Sequence, residues 1–110
     1  MNPEQQRIAI AEACGWTARE DIEGFWRAVD ASGYVTHDLW ISESNVWSAG
    51  MPDYLNDLNA MHEAEETLDC NQWEVWHRIV GEWPTELARL TASQRAEAFL
   101  RTIGKWKECQ

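Results

Sequence analysis

Cysteine is scarce: Cys14, Cys70 and Cys109 are odd in number and widely spaced along the 110 residues. They form neither a disulfide framework nor a CxxC metal pattern, which points to a reducing compartment. Cationic side chains are also few, 9 Lys and Arg against 19 Asp and Glu, giving a net charge of −10. Such a surface repels a phosphate backbone, so no direct nucleic-acid binding is expected, and no adsorption to an anionic membrane. No window of about 18 apolar residues occurs, so no membrane span is expected. The N-terminus lacks a basic segment followed by an apolar run, so no secretory signal is expected and the expected location is the cytoplasm. The six glycines spell neither a P-loop nor a dinucleotide fingerprint. No Ser-His-Asp or Cys-His order is discernible, and paired carboxylates are too abundant to be specific. The expectation is therefore no enzyme, no catalytic residue and no cofactor.

What the chain does have is tryptophan, at positions 16, 26, 40, 47, 73, 76, 83 and 106. Apolar types make up 45% of the chain, enough to bury one modest core, so a single domain over 1–110 is expected. Eight indoles do not hide easily in so small a core, and each buried N–H needs a partner. Trp16, Trp73, Trp76 and Trp83 have core spacing. Trp26, Trp40 and Trp47 belong to or flank a strand-like region and are candidates for a partner patch. Trp106 is expected to fold back onto the domain.

Local signals set the element order. Asn2, Pro3 and Glu4 begin a helix that Gly15 ends. Phe25 to Val29 reads as a strand, Asp30 to Gly33 as a turn, and Tyr34 to Ile41 as a half-buried strand. In that strand Val35, Leu39 and Ile41 share one face, and Tyr34, Thr36, Asp38 and Trp40 the other. Ser42 to Gly50 reads as a loop. A second helix is expected from Asp53, its cap, to Asp69, with Tyr54, Leu58, Met61 and Leu68 on its apolar face. A third follows from Asn71, whose spacing to Glu74 suits a capping box, and Gly81 and Pro84 limit it. Residues 85–90 suit a short helical turn. The last helix starts at Thr91, with Gln94 at capping-box spacing, and Gly104 closes it. Helices thus enclose a small hairpin or sheet at about residues 16–41, an α+β arrangement of layers.

Three stretches resemble the phage ABA sandwich family: RIAIAEACGW at Arg7 to Trp16, PDYLNDLNAMHEAEETL at Pro52 to Leu68, and TASQRAEAFLRTIGKWKE at Thr91 to Glu108. Together they cover about 45 of the 110 residues. The resemblance implies a layered α/β/α sandwich encoded by tailed phages or integrated prophages, acting inside a bacterial host. It brings no mechanism with it.

Candidate binding residues are Trp40, Trp47, Tyr54, Asp57, Asn59, His62, Glu63 and Glu66. His62-Glu63 opens like a zinc-protease motif, but Glu66 stands where the second His is needed, so no metal site is expected. A solvated acidic helix face is the plainer reading of this run. The function these features favour is a non-catalytic accessory protein that binds a host protein with a basic surface, a counter-defence inhibitor being one form. The acidic run Glu63, Glu65 and Glu66 is its expected contact. Two alternatives stay open. One is a small-ligand or nucleotide-sequestering protein, which requires an Arg-lined pocket beside an aromatic face. The other is a phage structural or assembly protein, with self-association to a homo-oligomer through an apolar patch as its sign.

Overall fold

Side-chain caps fix where the long helices begin. In the computed structural model, which describes residues 1–84, 86 and 89–107, Asn2 Oδ1 accepts from the Gln5 N–H at 2.8 Å. The Gln5 side chain accepts in return from the Asn2 N–H at 3.0 Å, which starts α1 (Pro3–Ala13). Gly15, at φ 89, then turns the chain out of the helix.

The hairpin comes next, and it is not the one expected. β1 (Thr17–Ile22) pairs antiparallel with β2 (Phe25–Val29) across a turn in which Gly24 has φ 81. Residues 34–41 return along the far edge of β2 and touch it through two isolated bridges, Val29 to Val35 and Trp26 to Trp40. Between those bridges Arg27 Nη1 donates to Thr36 O at 3.0 Å and His37 O at 3.2 Å, so a side chain replaces part of the ladder. The turn at 30–33 is as expected: Asp30 Oδ1 accepts from the Ser32 N–H at 2.9 Å and the Tyr34 N–H at 3.0 Å.

Ser42 to Gly50 is helical rather than a loop. Ser42 Oγ accepts from the Asn45 N–H at 3.2 Å and caps the short α2 (Glu43–Asn45), which runs into a π turn (Val46–Gly50). The second long helix is also shorter than its apolar spacing suggests. α3 spans Leu58–Glu65 and is capped by Asp57, not Asp53. Asp53 instead accepts from Asn56 Nδ2 in a turn that precedes the helix. α4 (Cys70–Gly81) starts at a capping box of Asp69 with Gln72, two positions before the expected Asn71 and Glu74. The short helical turn expected at 85–90 falls partly outside the described residues. α5 (Ala92–Thr102) begins at the expected Thr91 and Gln94 box, and Gly104 follows at φ 75.

The architecture is a mixed α+β fold with a two-stranded antiparallel sheet. α5 is the centre of the core. Its Ala96, Phe99 and Leu100 are fully buried, and it packs on α1, α3 and α4. Ile10 from α1, Met61 from α3 and Trp76 from α4 fill the same cluster. The hairpin packs instead on α2 and the π turn. The radius of gyration is 14.9 Å, against about 13 Å for a compact chain of this length. The hairpin stands out as an arm from the helical core, and β1 is exposed along most of its length. Among the described residues, no helix is long and apolar enough to cross a membrane.

Candidate functional site

The expected polar cluster on α3 has divided roles. Asp57 Oδ1 accepts from the Asn59 N–H at 2.9 Å and the Ala60 N–H at 3.4 Å, so its carboxylate is committed to the helix start. Asn59, His62, Glu63 and Glu66 are exposed. Glu65, expected in the solvated acidic run, turns inward instead and is 3% exposed. Its two oxygens lie 3.0 and 2.9 Å from Arg95 Nη1 on α5. The Arg95 guanidinium also sits over the Trp76 ring, 5.6 Å from its centroid. Burial pushes the Glu65 carboxyl above its ordinary range, and Arg95 and then His62 oppose that shift. Glu65 therefore belongs to the core, and of the expected acidic run only Glu63 and Glu66 are exposed. Among the described residues, no three His, Cys, Asp or Glu side chains are grouped to hold a metal ion.

Tryptophan is not what the surface presents. Trp76 is buried and the other seven are half-buried. Trp40 lies against Gly50, and Trp47, in the π turn, packs on the core cluster. Among the described residues, most of the exposed large apolar side chains are on the arm: Ile22 at 50%, Phe25 at 40%, Tyr34 at 55%, Leu39 at 43% and Ile41 at 76% exposure. Leu58, expected on the apolar face of the second helix, is 43% exposed at the start of α3 and stands apart from them. The two faces expected for 34–41 do not form: the segment is no strand, Val35, Thr36 and Trp40 are half-buried, and Tyr34, Asp38, Leu39 and Ile41 are exposed.

Register groups these residues. Ile22 is directly opposite Phe25 beside the turn. The Trp26–Trp40 bridge, closed by N–H···O bonds of 2.7 and 2.8 Å, joins the chain neighbour of Phe25 to the residue between Leu39 and Ile41. Ile22, Phe25, Leu39 and Ile41 thus gather as an exposed apolar row at one end of the arm. Carboxylates surround this row. Asp21 is occupied, 3.3 Å from Arg19 Nη2 and 2.7 Å from Arg27 Nε. Glu20, Glu23, Asp38 and Glu43 are exposed and make no ion pair among the described residues. No motif pointed to this row. Its apolar members are three aliphatics and one Phe, scattered over twenty residues and joined by strand register.

A pocket of about 220 Å³ opens at the end of α1. Cys14, Trp16, Asp30, Ser32, Tyr54 and Glu63 are among its lining residues. Tyr54, a candidate from sequence, is buried beside the Cys14 thiol and the Trp16 indole. Burial, and then the adjacent Cys14, raises its hydroxyl pKa, so it stays protonated. Burial likewise pushes the Cys14 thiol up, away from the thiolate that a nucleophile needs. The structure thus joins Tyr54 and Glu63 in one pocket, while Trp40 and Trp47 lie with the arm and the π turn.

No family model matches the chain, and neither a curated protein nor a solved structure matches it. The resemblance to the phage ABA sandwich family therefore rests on the three sequence stretches alone.

Proposed function

We propose that this chain is a phage-encoded, non-catalytic accessory factor that binds a host protein through its hairpin arm. The observation that carries the reading is the solvent-facing row of Ile22, Phe25, Leu39 and Ile41 beside Glu20, Glu23, Asp38 and Glu43, which make no ion pair among the described residues. An apolar centre with a charged rim is the anatomy of a protein interface. The charge of −10 sets the chemistry of the partner: an apolar surface bordered by Lys and Arg. The counter-defence form of this reading is one in which that surface is a functional groove of the host protein.

The nucleotide-sequestering alternative has less support. The pocket beside Trp16 is lined by Asp30 and Glu63 and, among the described residues, by no Arg or Lys. A phosphate there meets two carboxylates with no counter-charge.

Capture of the tagged chain from a bacterial lysate tests the arm directly, with wild type beside Ile22→Ser/Ile41→Ser. A stoichiometric protein held by wild type, released by salt and missed by the variant is the expected result. A partner held equally by both moves the contact off the arm. No protein held by either overturns the reading.

A further inference from the structure

We infer that the pocket at the end of α1 binds an organic cation, an ammonium or guanidinium group on a short aliphatic stem. Four separate segments converge on it. Cys14 and Trp16 follow α1, Asp30 and Ser32 form the turn after β2, Tyr54 precedes α3, and Glu63 stands on α3 itself. Gly15 permits the convergence. A Cβ there would lie 2.8 Å from the Ala31 Cβ, so the bare backbone lets the 30–32 turn close against the end of α1.

The lining selects by charge and by ring. Trp16, half-buried, supplies aromatic surface, which attracts a cation through the ring quadrupole, and the buried Tyr54 backs it. Asp30 and Glu63 supply the counter-charge. Asp30 spends one oxygen on the turn, taking Ser32 Oγ at 2.6 Å besides the two backbone donors, and its second oxygen makes no hydrogen bond among the described residues. Glu63 forms no ion pair among them. An anion is repelled by both carboxylates. A neutral apolar molecule strips water from them and returns nothing. The volume of about 220 Å³ suits a short amine chain rather than a folded polypeptide element, since one water takes about 30 Å³ of liquid. The site is separate from the apolar row of the arm, so it holds or fails independently of the protein-binding reading.

The test is an NMR titration of the full chain, following the Trp16 indole N–H. Three probes are used: putrescine, N-acetyl-lysine methylamide, and the neutral isostere 1,4-butanediol. The expected result is a saturable shift with an amine and none with the diol. Glu63→Gln should weaken it by about fivefold, the upper range for one exposed charge pair. Glu66→Gln removes an equal charge at the C-cap of the same helix, outside the pocket lining, and should leave the affinity unchanged. Both variants alter exposed side chains, and an unchanged melting temperature confirms their fold. Saturation by both amines assigns recognition to the head group. Saturation by putrescine alone assigns the site to a free diamine, and by the lysine derivative alone to a polypeptide side chain. The inference is overturned by no saturable shift, by equal binding of the diol, by indifference to Glu63→Gln, or by equal losses in the two variants.

Discussion

The indole of Trp40 lies so close to Gly50 that a Cβ at position 50 would fall 2.9 Å from Nε1 and 3.3 Å from Cε2. Gly50 does not have a positive φ, so alanine fits its backbone and only the contact resists it. The contact matters because Trp40 also ties residues 34–41 to β2 through its double backbone bridge. Gly50→Ala should destabilise the fold by about 1–3 kcal/mol, the usual range for overpacking. Trp40→Leu in the same chain should recover part of that loss. Urea denaturation of the two single variants and the double variant gives the coupling directly. Additive losses would show that the ring moves aside without strain.

The Glu65–Arg95 pair makes a different kind of prediction. Glu65 is almost fully buried, and Arg95 is its ion-pair partner among the described residues. Removing Arg95 leaves a carboxylate in the core without a counter-charge, which costs about 3–5 kcal/mol in buried pairs. Arg95→Met should fall near the low end, because Arg95 keeps 16% side-chain exposure and water can reach the site. Adding Glu65→Met should restore most of the stability, since apolar replacement of a whole buried pair is often neutral. A double variant as weak as Arg95→Met alone would place the loss in the Trp76 contact instead.

The same carboxyl sets a pH dependence. Burial raises the Glu65 pKa in the folded chain despite Arg95 and His62. The folded state then binds this proton more tightly than the unfolded state does, so the contribution of Glu65 to stability grows as pH falls and is lost as pH rises through the folded value. Glu65→Gln cannot titrate and serves as the reference. From neutral pH down to about 4.3, the ordinary Glu value, wild type should gain stability relative to Glu65→Gln, and the difference should level off below. Denaturation midpoints of both chains across that window measure it. A wild-type advantage that shrinks on acidification would reverse the sign and make the ion pair dominant over burial.

How legible these features are in the sequence depends on how local they are. The Asn2 cap, Thr91 with Gln94, and the Asp30 to Gly33 turn are short-range hydrogen-bond patterns, and they stand where the sequence puts them. α4 shows the limit of that logic. Asp69 with Gln72 and Asn71 with Glu74 have the same spacing, and only the path of the preceding chain decides between them. β1 is hidden because TAREDI buries almost nothing and so carries no alternation. In residues 34–41 the alternation reads as a strand, but the Arg27 side chain takes the carbonyls of Thr36 and His37, and only two isolated bridges form. Glu65 looks like its acidic neighbours because its partner, Arg95, is thirty residues away.

Asp57 separates a structural from a functional role within the candidate cluster. Its carboxylate satisfies two backbone donors at the start of α3. Asp57→Ala should cost about 1 kcal/mol of stability, as lost N-caps do. Asp57→Asn or Asp57→Ser should recover most of it, because both cap well. Capture of a partner should be unaffected in all three variants. A loss of capture in Asp57→Asn, with stability preserved, would return this carboxylate to the binding surface.

The arm offers the cleanest separation of function from stability. Ile41 is 76% exposed and Ile22 50% exposed, so neither contributes much buried area to the fold. Substitution to Ser at such positions changes stability by about 0.5 kcal/mol or less. Ile22→Ser/Ile41→Ser should therefore melt close to wild type. If the row is a contact, the same variant should lose the partner, because residues at the centre of an interface carry most of its energy. Neutralising the rim with Glu20→Gln/Glu23→Gln should act differently, slowing association and flattening its salt dependence while dissociation stays nearly constant. Surface plasmon resonance at two salt concentrations resolves the two effects. If the Ser pair changed only the association rate and the Gln pair only the dissociation rate, the apolar row would be the rim and the carboxylates the anchor.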